Sequence, residues 1–288
     1  MLNSHRYRII KILNNNVILA FDLSNKQECI LVGKGLGFGK KINSIINSNT
    51  SNIEKSFITY DKEIKNEYLK LIKQLNIEVL GVGEEIIALA EERLGTLNPH
   101  IHISLTDHIG FSIERLKEGL EINNPFINEI KILYKEEYQI GTEGSKIIKE
   151  HIGIDIPEAE IGFIALHIHS ARQNKKVKET VKNTRLINDL VGFIENELSV
   201  KLDPTDLCYI RLINHIRFVI ERIKNNRTIQ NPIIDGIKKE FKKSFSLAEE
   251  LALMMKKSMD IDIPEDEISY LAIHIQRLKN NVENQKQI

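Results

Sequence analysis

The chain has 288 residues, of which 42% are hydrophobic and 28% are charged. This composition excludes a globally disordered protein, and the length suggests about two or three domains. The 40 basic and 40 acidic side chains cancel overall, but residues 1–62 hold nine Lys or Arg against four Asp or Glu, a net charge of +5, and the rest carries −5. A basic N-terminal head of this kind favours a polyanion as partner.

Cysteine content and hydropathy exclude several further classes. Cys29 and Cys208 show neither metal-binding nor redox spacing and provide no disulfide framework. No run of 18 apolar residues occurs, and the N-terminal segment lacks the hydrophobic region of a signal peptide. We therefore expect a cytoplasmic protein without membrane insertion.

The first elements along the chain are predicted to be strands. Tyr7–Leu13 and Val17–Asp22 are short β-prone runs on either side of a turn signal, Asn14–Asn16. A third run, Glu28–Val32, leads into the glycine-rich segment GKGLGFGKK. Together these runs predict a small antiparallel sheet.

The remainder of the head is less regular in sequence. Phe57–Tyr60 has the composition of a fourth strand, whereas Asn43–Ser56 is rich in Asn and Ser and is predicted to be a loop. A domain that ends near residue 62 is small enough to be marginally stable alone. Dimerisation is the natural remedy, so we expect a dimer of heads.

Two interpretations of the glycine-rich segment remain open. Its spacing matches neither a Walker A loop nor GxGxxG, so its glycines either only shape turns or expose backbone N–H groups on a nucleic-acid surface. On such a surface Lys34 would meet phosphates and Phe38 would stack on a base. The amides of Asn14 and Asn16 would contact base edges, which favours RNA with unstacked bases.

Beyond the head the pattern becomes helical and repeats itself. IPEAEIGFIALHIHSARQN (156–174) and IPEDEISYLAIHIQRLKNN (263–281) are identical at nine of nineteen positions, at a 107-residue offset. The same offset carries SLTDHIGFSIERL (104–116) onto RLINHIRFVIERI (211–223), with seven of thirteen positions identical. Chance similarity does not keep one register across separate segments, so the sequence predicts two homologous all-α domains.

The repeat selects four of the nine histidines. At the 107-residue offset His108 falls on His215 and His167 falls on His274, whereas no other histidine falls on a histidine. Helical periodicity puts these four at the edges of apolar stripes.

Three interpretations of these histidines are open. Imidazoles beside apolar stripes are often hydrogen-bonded core residues. A metal site is disfavoured, because a helical zinc pair needs histidines at i and i+4 and none are so spaced. Reversible phosphorylation fits a neutral imidazole, which is nucleophilic near pH 7, and nearly two added negative charges would break or remake an interface.

Six segments together resemble the transcriptional antiterminators of the sugar phosphotransferase system. The resemblance covers essentially the whole chain and rests on KILNNNVI, GKGLGFGKK, SLTDHIGFSIER, EIGFIALHIHSA, INHIRFVIERI and YLAIHIQRL. It implies a multidomain fold, in which a small antiparallel all-β RNA-binding domain (residues 1–62) precedes two all-α helical-bundle regulation domains (residues 63–174 and 175–288).

By position, the resemblance also implies roles for single residues. His108 and His167 fall on the phospho-acceptors of the first regulation domain, and His215 and His274 fall on those of the second. Lys34 takes an RNA-contact position that is often Arg, which keeps the charge but loses the planar fork. No catalytic residue, cofactor or metal is implied. The RNA-contact positions are Lys11, Asn14, Asn16, Gly33, Lys34 and Phe38.

The partners and the mechanism follow from the same resemblance. A homodimer would hold a leader-mRNA hairpin, the ribonucleic antiterminator, which overlaps a terminator, so that transcription continues. A sugar-specific phosphotransferase enzyme II would inactivate the protein by phosphorylating the first regulation domain, and the carrier HPr would act on the second. GKGLGFGKK together with LHIHSA is most similar to the glucose-operon subgroup.

Three alternatives remain beside this interpretation. An antiterminator of a β-glucoside or sucrose operon is the alternative within the family. A DNA-binding activator would carry a helix-turn-helix head, whereas this head is predicted to consist of strands. A phosphohistidine phosphotransferase component would need an onward acceptor site, for which the sequence holds no motif. We therefore expect a regulator rather than an enzyme.

Overall fold

A computed structural model describes residues 5–48, 52–58, 67–68, 70–71, 74–227 and 229–285. In this part of the chain five antiparallel strands form one sheet in the order β4-β1-β2-β3-β5. The strands are β1 (Arg6–Ile12), β2 (Val17–Asp22), β3 (Gln27–Val32), β4 (Ile45–Asn47) and β5 (Lys55–Ile58).

An asparagine turn closes the hairpin between β1 and β2. The side-chain oxygen of Asn14 accepts hydrogen bonds from the backbone N–H groups of Asn16 at 2.7 Å and Val17 at 2.8 Å, the geometry in which Asn mimics a backbone turn. The central strand β2 is buried on both faces: Ile18 belongs to one apolar cluster and Leu19 to another. Burial on both faces explains why its sequence is a continuous apolar run.

The predicted loop at Asn43–Ser56 is wrong in part, because it contains β4. This strand pairs with β1, with Arg6 opposite Asn47. Its apolar signal is too short to stand out in an Asn- and Ser-rich segment. The strand predicted at Phe57–Tyr60 begins earlier, at Lys55, and residues 59–60, like the predicted domain boundary at residue 62, lie outside the described residues.

Ten helices whose bounds lie within the described residues follow from Ile77 onward, and most of them repeat at the 107-residue offset. The first five are α1 (Ile77–Leu94), α2 (Ile101–Lys117), α3 (Ile127–Leu133), α4 (Lys135–Ile152) and α5 (Glu158–Arg172). The next five are α6 (Val177–Leu198), α7 (Leu207–Lys224), α8 (Ile234–Glu240), α9 (Lys242–Met259) and α10 (Glu265–Gln285). The bounds of α3 and α4 recur at the same offset in α8 and α9, so the predicted β head and duplicated all-α region are confirmed.

The chain separates into two compact units. One contains residues 1–124 and 136–180, and the other contains residues 125–135 and 181–288. The sheet therefore belongs to the same unit as α1, α2, α4 and α5, and one face of the sheet is buried against Leu80 and Ala88 of α1. No helix in the described ranges is long and apolar enough to span a membrane.

Candidate functional site

The predicted RNA-contact residues surround the first hairpin turn and the glycine-rich loop. Phe38 is 73% exposed, and Lys34 is also exposed, while Lys11 on β1 is half-buried. Gly33 is buried, and a Cβ atom there would overlap the backbone oxygen of Asn52. Close packing therefore accounts for this glycine without any ligand.

Three glycine N–H groups of the loop are hydrogen-bonded within the chain, which supports the interpretation that these glycines shape turns. The N–H of Gly33 donates to the backbone oxygen of Asn16 at 2.9 Å, and that of Gly37 donates to the backbone oxygen of Asn15 at 2.8 Å. The N–H of Gly35 donates to the side-chain oxygen of Asn16 at 2.9 Å, and Gly35 has a φ of 68° that favours glycine. These hydrogen bonds hold the loop on the hairpin turn.

The two asparagine side chains meet a carboxylate of α1. Asn14 Nδ2 donates to Glu85 Oε1 at 2.5 Å, and Asn16 Nδ2 donates to Glu85 Oε2 at 3.0 Å. This approach requires Gly81, because a Cβ atom there would lie 2.6 Å from Cγ of Asn14. A cavity of about 350 Å³ beside the contact is lined by Asn16, Lys34 and Glu85, among others. Both amides are thus occupied within the chain.

The first histidine pair lies between α2 and α5. The rings of His108 and His167 stack with centroids 4.8 Å apart and an interplanar angle of 24°. Nε2 of His108 lies 3.4 Å from Oε2 of Glu160. Nδ1 of His167 is buried and has no hydrogen-bond partner among the described residues. The two imidazoles therefore turn different nitrogens inward.

The carboxylate beside His108 belongs to a buried network. Glu160 is 2% exposed, and it accepts hydrogen bonds from Oγ of Ser112 at 2.8 Å and from Arg115 at 2.6 Å. Burial alone would raise the pKa of Glu160, but the hydrogen bonds from His108 and Ser112 and the charges of His108 and Arg115 outweigh it and lower the pKa. Glu160 is consequently ionised at neutral pH.

The partner ring, His167, is neutral at the same pH. Burial, and secondly the charge of His108, lower the pKa of His167 to about 3. A cavity of about 760 Å³ reaches this residue. Its lining includes Ser104, Asp107, Lys175 and Lys176. A neutral ring at a cavity has a free nitrogen lone pair and access to a reaction partner.

The second repeat builds the same arrangement. His215 on α7 and His274 on α10 have ring centroids 4.6 Å apart. Arg222 donates from Nε and Nη2 to the two oxygens of Glu267, at 2.6 and 2.7 Å. Nε2 of His215 lies 3.9 Å from Oε2 of Glu267. Burial, followed by the charges of His274 and Arg222, lowers the pKa of His215 to about 3.

Sequence reasoning missed the buried pairs Glu160–Arg115 and Glu267–Arg222. The signal was present, because both members of each pair recur at the 107-residue offset inside the repeated segments. From the sequence, however, Glu160 is only an acidic residue in the first turn of a helix, where the dipole favours it. Its burial depends on the packing of α2 against α5.

Two other histidines, His102 and His169, each contact a buried glutamate. Nδ1 of His102 lies 2.7 Å from Glu84, and Nδ1 of His169 lies 3.0 Å from Glu137. Burial lowers the pKa of His102, but the carboxylate of Glu84 outweighs it and the pKa is raised. These contacts match the core interpretation of a histidine. The described residues include no cluster of His, Cys, Asp and Glu that could hold a metal ion.

The repeated pairs thus combine a neutral, nucleophilic imidazole with a buried Glu–Arg pair that fixes the geometry beside it. A ring nitrogen in this arrangement can act as a nucleophile toward an electrophilic group such as a phosphoryl group. A charge added there would lie beside the apolar core of the helices, which contains Leu105, Ile109 and Ile164.

Comparisons with known proteins match these regions. The profile of the CAT RNA binding domain matches residues 7–66, and that of the PRD domain matches residues 84–171 and 188–278. The first match contains the glycine-rich loop, and the other two contain one histidine pair each.

Full-length relatives are similar along most of their chains. The chain is 32% identical over 275 residues to the transcription antiterminator LicT of Bacillus subtilis (strain 168), covering 94% of this chain and 98% of that protein. It is 31% identical over 282 residues to the beta-glucoside operon antiterminator of Dickeya chrysanthemi, covering 96% and 99%. It is 34% identical over 279 residues to protein GlcT of Staphylococcus haemolyticus (strain JCSC1435), covering 96% and 97%.

One solved structure is similar to part of the chain. The crystal structure of GlcT CAT-PRDI is 42% identical, covers 59% of this chain and 99% of that one, and gives a TM-score of 0.48.

Proposed function

We propose the following mechanism for this chain, which belongs to the family of transcription antiterminators that join a CAT RNA-binding domain to two PRD domains. In our proposal, residues 1–62 hold a leader-mRNA hairpin against terminator formation. Residues 63–174 and 175–288 are the two regulation domains, which receive phosphoryl groups from the phosphotransferase system. The chain is then a cytoplasmic regulator without a reaction of its own, because its target is a nascent transcript.

The observation that carries the control mechanism is the duplicated histidine site. Phosphorylation at His108 or His167 in the first repeat, or at His215 or His274 in the second, would add nearly two negative charges beside a core that contains a buried glutamate. Such a charge disfavours the existing packing. We propose enzyme II as the donor to the first repeat and HPr as the donor to the second.

The exposed part of the head supports RNA binding. Phe38 presents 73% of its surface to solvent at the tip of the glycine-rich loop, and Lys34, Lys40 and Lys41 beside it are exposed. An exposed aromatic ring among lysines is the combination that stacks on an unpaired base and neutralises phosphates. A homodimer would present two such loops to one hairpin.

The described conformation of the head represents the RNA-free protein in this proposal. The amides of Asn14 and Asn16 are bound to Glu85, so contact with bases requires that RNA displaces this carboxylate. The acidic contact occupies the hydrogen-bond donors that a nucleic acid would use. Binding through these amides is therefore coupled to the seating of the head on α1.

The sugar is proposed from similarity alone. The 34% identity to GlcT supports a glucose-type operon. The identities to LicT and to the beta-glucoside operon antiterminator, 32% and 31%, are only slightly lower than the identity to GlcT. A β-glucoside operon is therefore the alternative.

RNA binding is tested with the full chain and a selected RNA. A pool of RNA stem–loops with randomised loops and bulges is selected on the protein, and the best hairpin is titrated by fluorescence anisotropy. Phe38→Ala should weaken binding by about 1–3 kcal/mol if the ring stacks on a base. Phe111→Ala, which removes a 58% exposed ring outside the head, should leave the affinity unchanged.

The same titration with duplex DNA of matching sequence tests the class of nucleic acid. We expect no measurable affinity for DNA at the concentrations that saturate RNA. Equal affinities for RNA and DNA would contradict the proposed function.

A further inference from the structure

The first histidine of each repeat has one ring nitrogen turned inward. Nε2 of His108 lies 3.4 Å from the buried Oε2 of Glu160. Nε2 of His215 is itself buried, 3.9 Å from Glu267, and has no hydrogen-bond partner among the described residues. Two sites that the repeat relates to each other thus share one ring orientation.

The inward carboxylate determines where the ring hydrogen lies. Glu160 is ionised, and an ionised carboxylate only accepts hydrogen bonds. Its second oxygen is held by Arg115 at 2.6 Å, so the oxygen that faces His108 is fixed in place. The favoured neutral tautomer of His108 therefore carries hydrogen on Nε2 and a lone pair on Nδ1.

Charge repulsion excludes the same nitrogen as an attachment point. A phosphoryl group on Nε2 of His108 would put nearly two negative charges against a buried carboxylate. It would also have to fit among Ser112, Glu160 and Ile164, which line a space of only about 10 Å³ beside the ring. Sterics and electrostatics exclude this product together.

We propose that His108 accepts its phosphoryl group on Nδ1 and that Glu160 is the positioning residue that selects this nitrogen. This inference rests on the proposed function, because it takes His108 as a phospho-acceptor. The repeat extends the assignment to Nδ1 of His215. His167 has its Nδ1 buried instead, so it accepts the group on Nε2, and the two acceptors of the first repeat yield different phosphohistidine isomers.

The transfer step needs no proton acceptor. The lone pair on Nδ1 of neutral His108 attacks the phosphorus of a phosphohistidine or phosphocysteine on the donor protein. The new P–N bond forms while the donor's P–N or P–S bond breaks, and the donor keeps that electron pair. The ring of His108 becomes a phosphoimidazolium that retains its Nε2 hydrogen, and the carboxylate of Glu160 stabilises the positive charge.

The test reads the isomer at each histidine of the full chain. The folded chain is phosphorylated with potassium phosphoramidate at pH 7, digested under alkaline conditions, and the peptides with His108 and His167 are separated. ³¹P NMR and isomer-specific antibodies then distinguish Nδ1- from Nε2-phosphohistidine. We expect at least a tenfold excess of the Nδ1 isomer at His108 and of the Nε2 isomer at His167. The urea-unfolded chain supplies the intrinsic ratio.

Variants test the role of Glu160. Glu160→Gln should shift the isomer ratio at His108 toward that of the unfolded chain, whereas Glu114→Gln, at an exposed position on α2, should leave it unchanged. Ser112→Val keeps Glu160 but removes the Oγ hydrogen bond to it, as Val219 does in the second repeat, and should lower the ratio less. ¹⁵N shifts of His108 should report hydrogen on Nε2 in the unmodified wild type.

Three results would overturn the inference. They are a predominant Nε2 isomer at His108 of the folded wild type, an unchanged ratio in folded Glu160→Gln, and no label at His108 while other histidines are labelled. If Glu160→Gln does not fold, the inference is tested by the isomer ratio at His108 in the folded wild type and in Ser112→Val. RNA titration of the unmodified protein tests the proposed function separately, because that measurement involves no phosphohistidine isomer.

Discussion

The two repeats carry the same histidine pair on the same helices, but they differ immediately around it. In the first, Ser112 bonds Glu160, and Arg115 reaches the other oxygen, so that His108 lies 3.4 Å from the carboxylate. In the second, Val219 stands at the position of Ser112. There Arg222 donates to both oxygens of Glu267, and Nε2 of His215 lies 3.9 Å from Oε2 of Glu267.

A second difference concerns the head. Glu85 of the first repeat binds two asparagines of the head, whereas the equivalent position of the second repeat is Gly192, which has no side chain to offer. The head and the first histidine site also share one compact unit. Duplication thus preserved the histidine pair in both repeats, while among the described residues the contact with Asn14 and Asn16 is made by Glu85 of the first repeat. Under the proposed function, we therefore expect phosphorylation of the first repeat to have the larger effect on the head.

The largest expected effect is loss of the buried glutamate. Glu160→Ala leaves the Arg115 charge buried without its partner, which costs about 3–5 kcal/mol of unfolding free energy. Glu267→Ala should cost at least as much, because Arg222 makes two hydrogen bonds to it. Urea denaturation followed by circular dichroism measures both. Glu114→Ala should stay within about 0.5 kcal/mol of wild type, and a similarly small loss in Glu160→Ala would contradict the buried network.

The second-largest expected effect is a pH dependence of stability that comes from His167 and His215. His167 and His215 have native pKa values of about 3, below the ordinary value near 6.5. Between these values the unfolded chain binds protons that the native chain does not, so stability falls as the pH falls below about 6.5. From pH 6.5 to 5 each residue should account for about 2 kcal/mol.

Urea midpoints at the two pH values measure this effect. His167→Gln and His215→Gln should each remove about 2 kcal/mol of the pH dependence. The buried carboxylate of Glu160 titrates below its ordinary pKa near 4.5 and stays outside this window. A pH dependence that is unchanged in both variants would mean that these rings are protonated in the folded protein.

Phosphomimetic substitutions test the asymmetry between the repeats. His108→Asp adds a negative charge beside Glu160 in the unit that contains the head, so we expect the RNA affinity of the full chain to fall about tenfold, which corresponds to a coupling free energy of about 1.4 kcal/mol. His215→Asp should have a smaller effect. Anisotropy titration of the selected hairpin measures both, and a larger effect of His215→Asp would reverse the proposed roles.

The smallest expected effect comes from the contact between the head and α1. Glu85→Ala frees the amides of Asn14 and Asn16 from two hydrogen bonds, each worth about 0.5–1.5 kcal/mol net. RNA affinity should rise by roughly fivefold, or about 1 kcal/mol. Glu78→Ala removes an exposed acid from the same helix and controls for net charge. A loss of affinity in Glu85→Ala would show that Glu85 supports the RNA-bound conformation instead.

The sequence predicted most of the architecture because its signals are local or repeated. Short β-prone runs and turn residues located β1 to β3, and the 107-residue offset located the duplicated helical region and the four histidines. The strand β4 was missed, since three residues carry little pattern and its pairing with β1 is long-range.

The site could be predicted only as a set of residues. Stacking of His108 on His167 and burial of Glu160 depend on the packing of α2 against α5, which no periodicity encodes. The occupied loop N–H groups and the Glu85 contact likewise arise between segments far apart in sequence. Repeat identity at Arg115 and Glu160 was the one available signal.

The most direct test is RNA affinity before and after phosphorylation of a chain in which only the first repeat keeps its histidine pair. The double variant His215→Ala/His274→Ala is treated with phosphoramidate and titrated with the selected hairpin, then treated with hydroxylamine and titrated again. We expect a loss of affinity of about tenfold or more that hydroxylamine reverses, and no loss in the matched His108→Ala/His167→Ala variant. An affinity that phosphorylation leaves unchanged, or an equal loss in both variants, would contradict control through the first histidine pair.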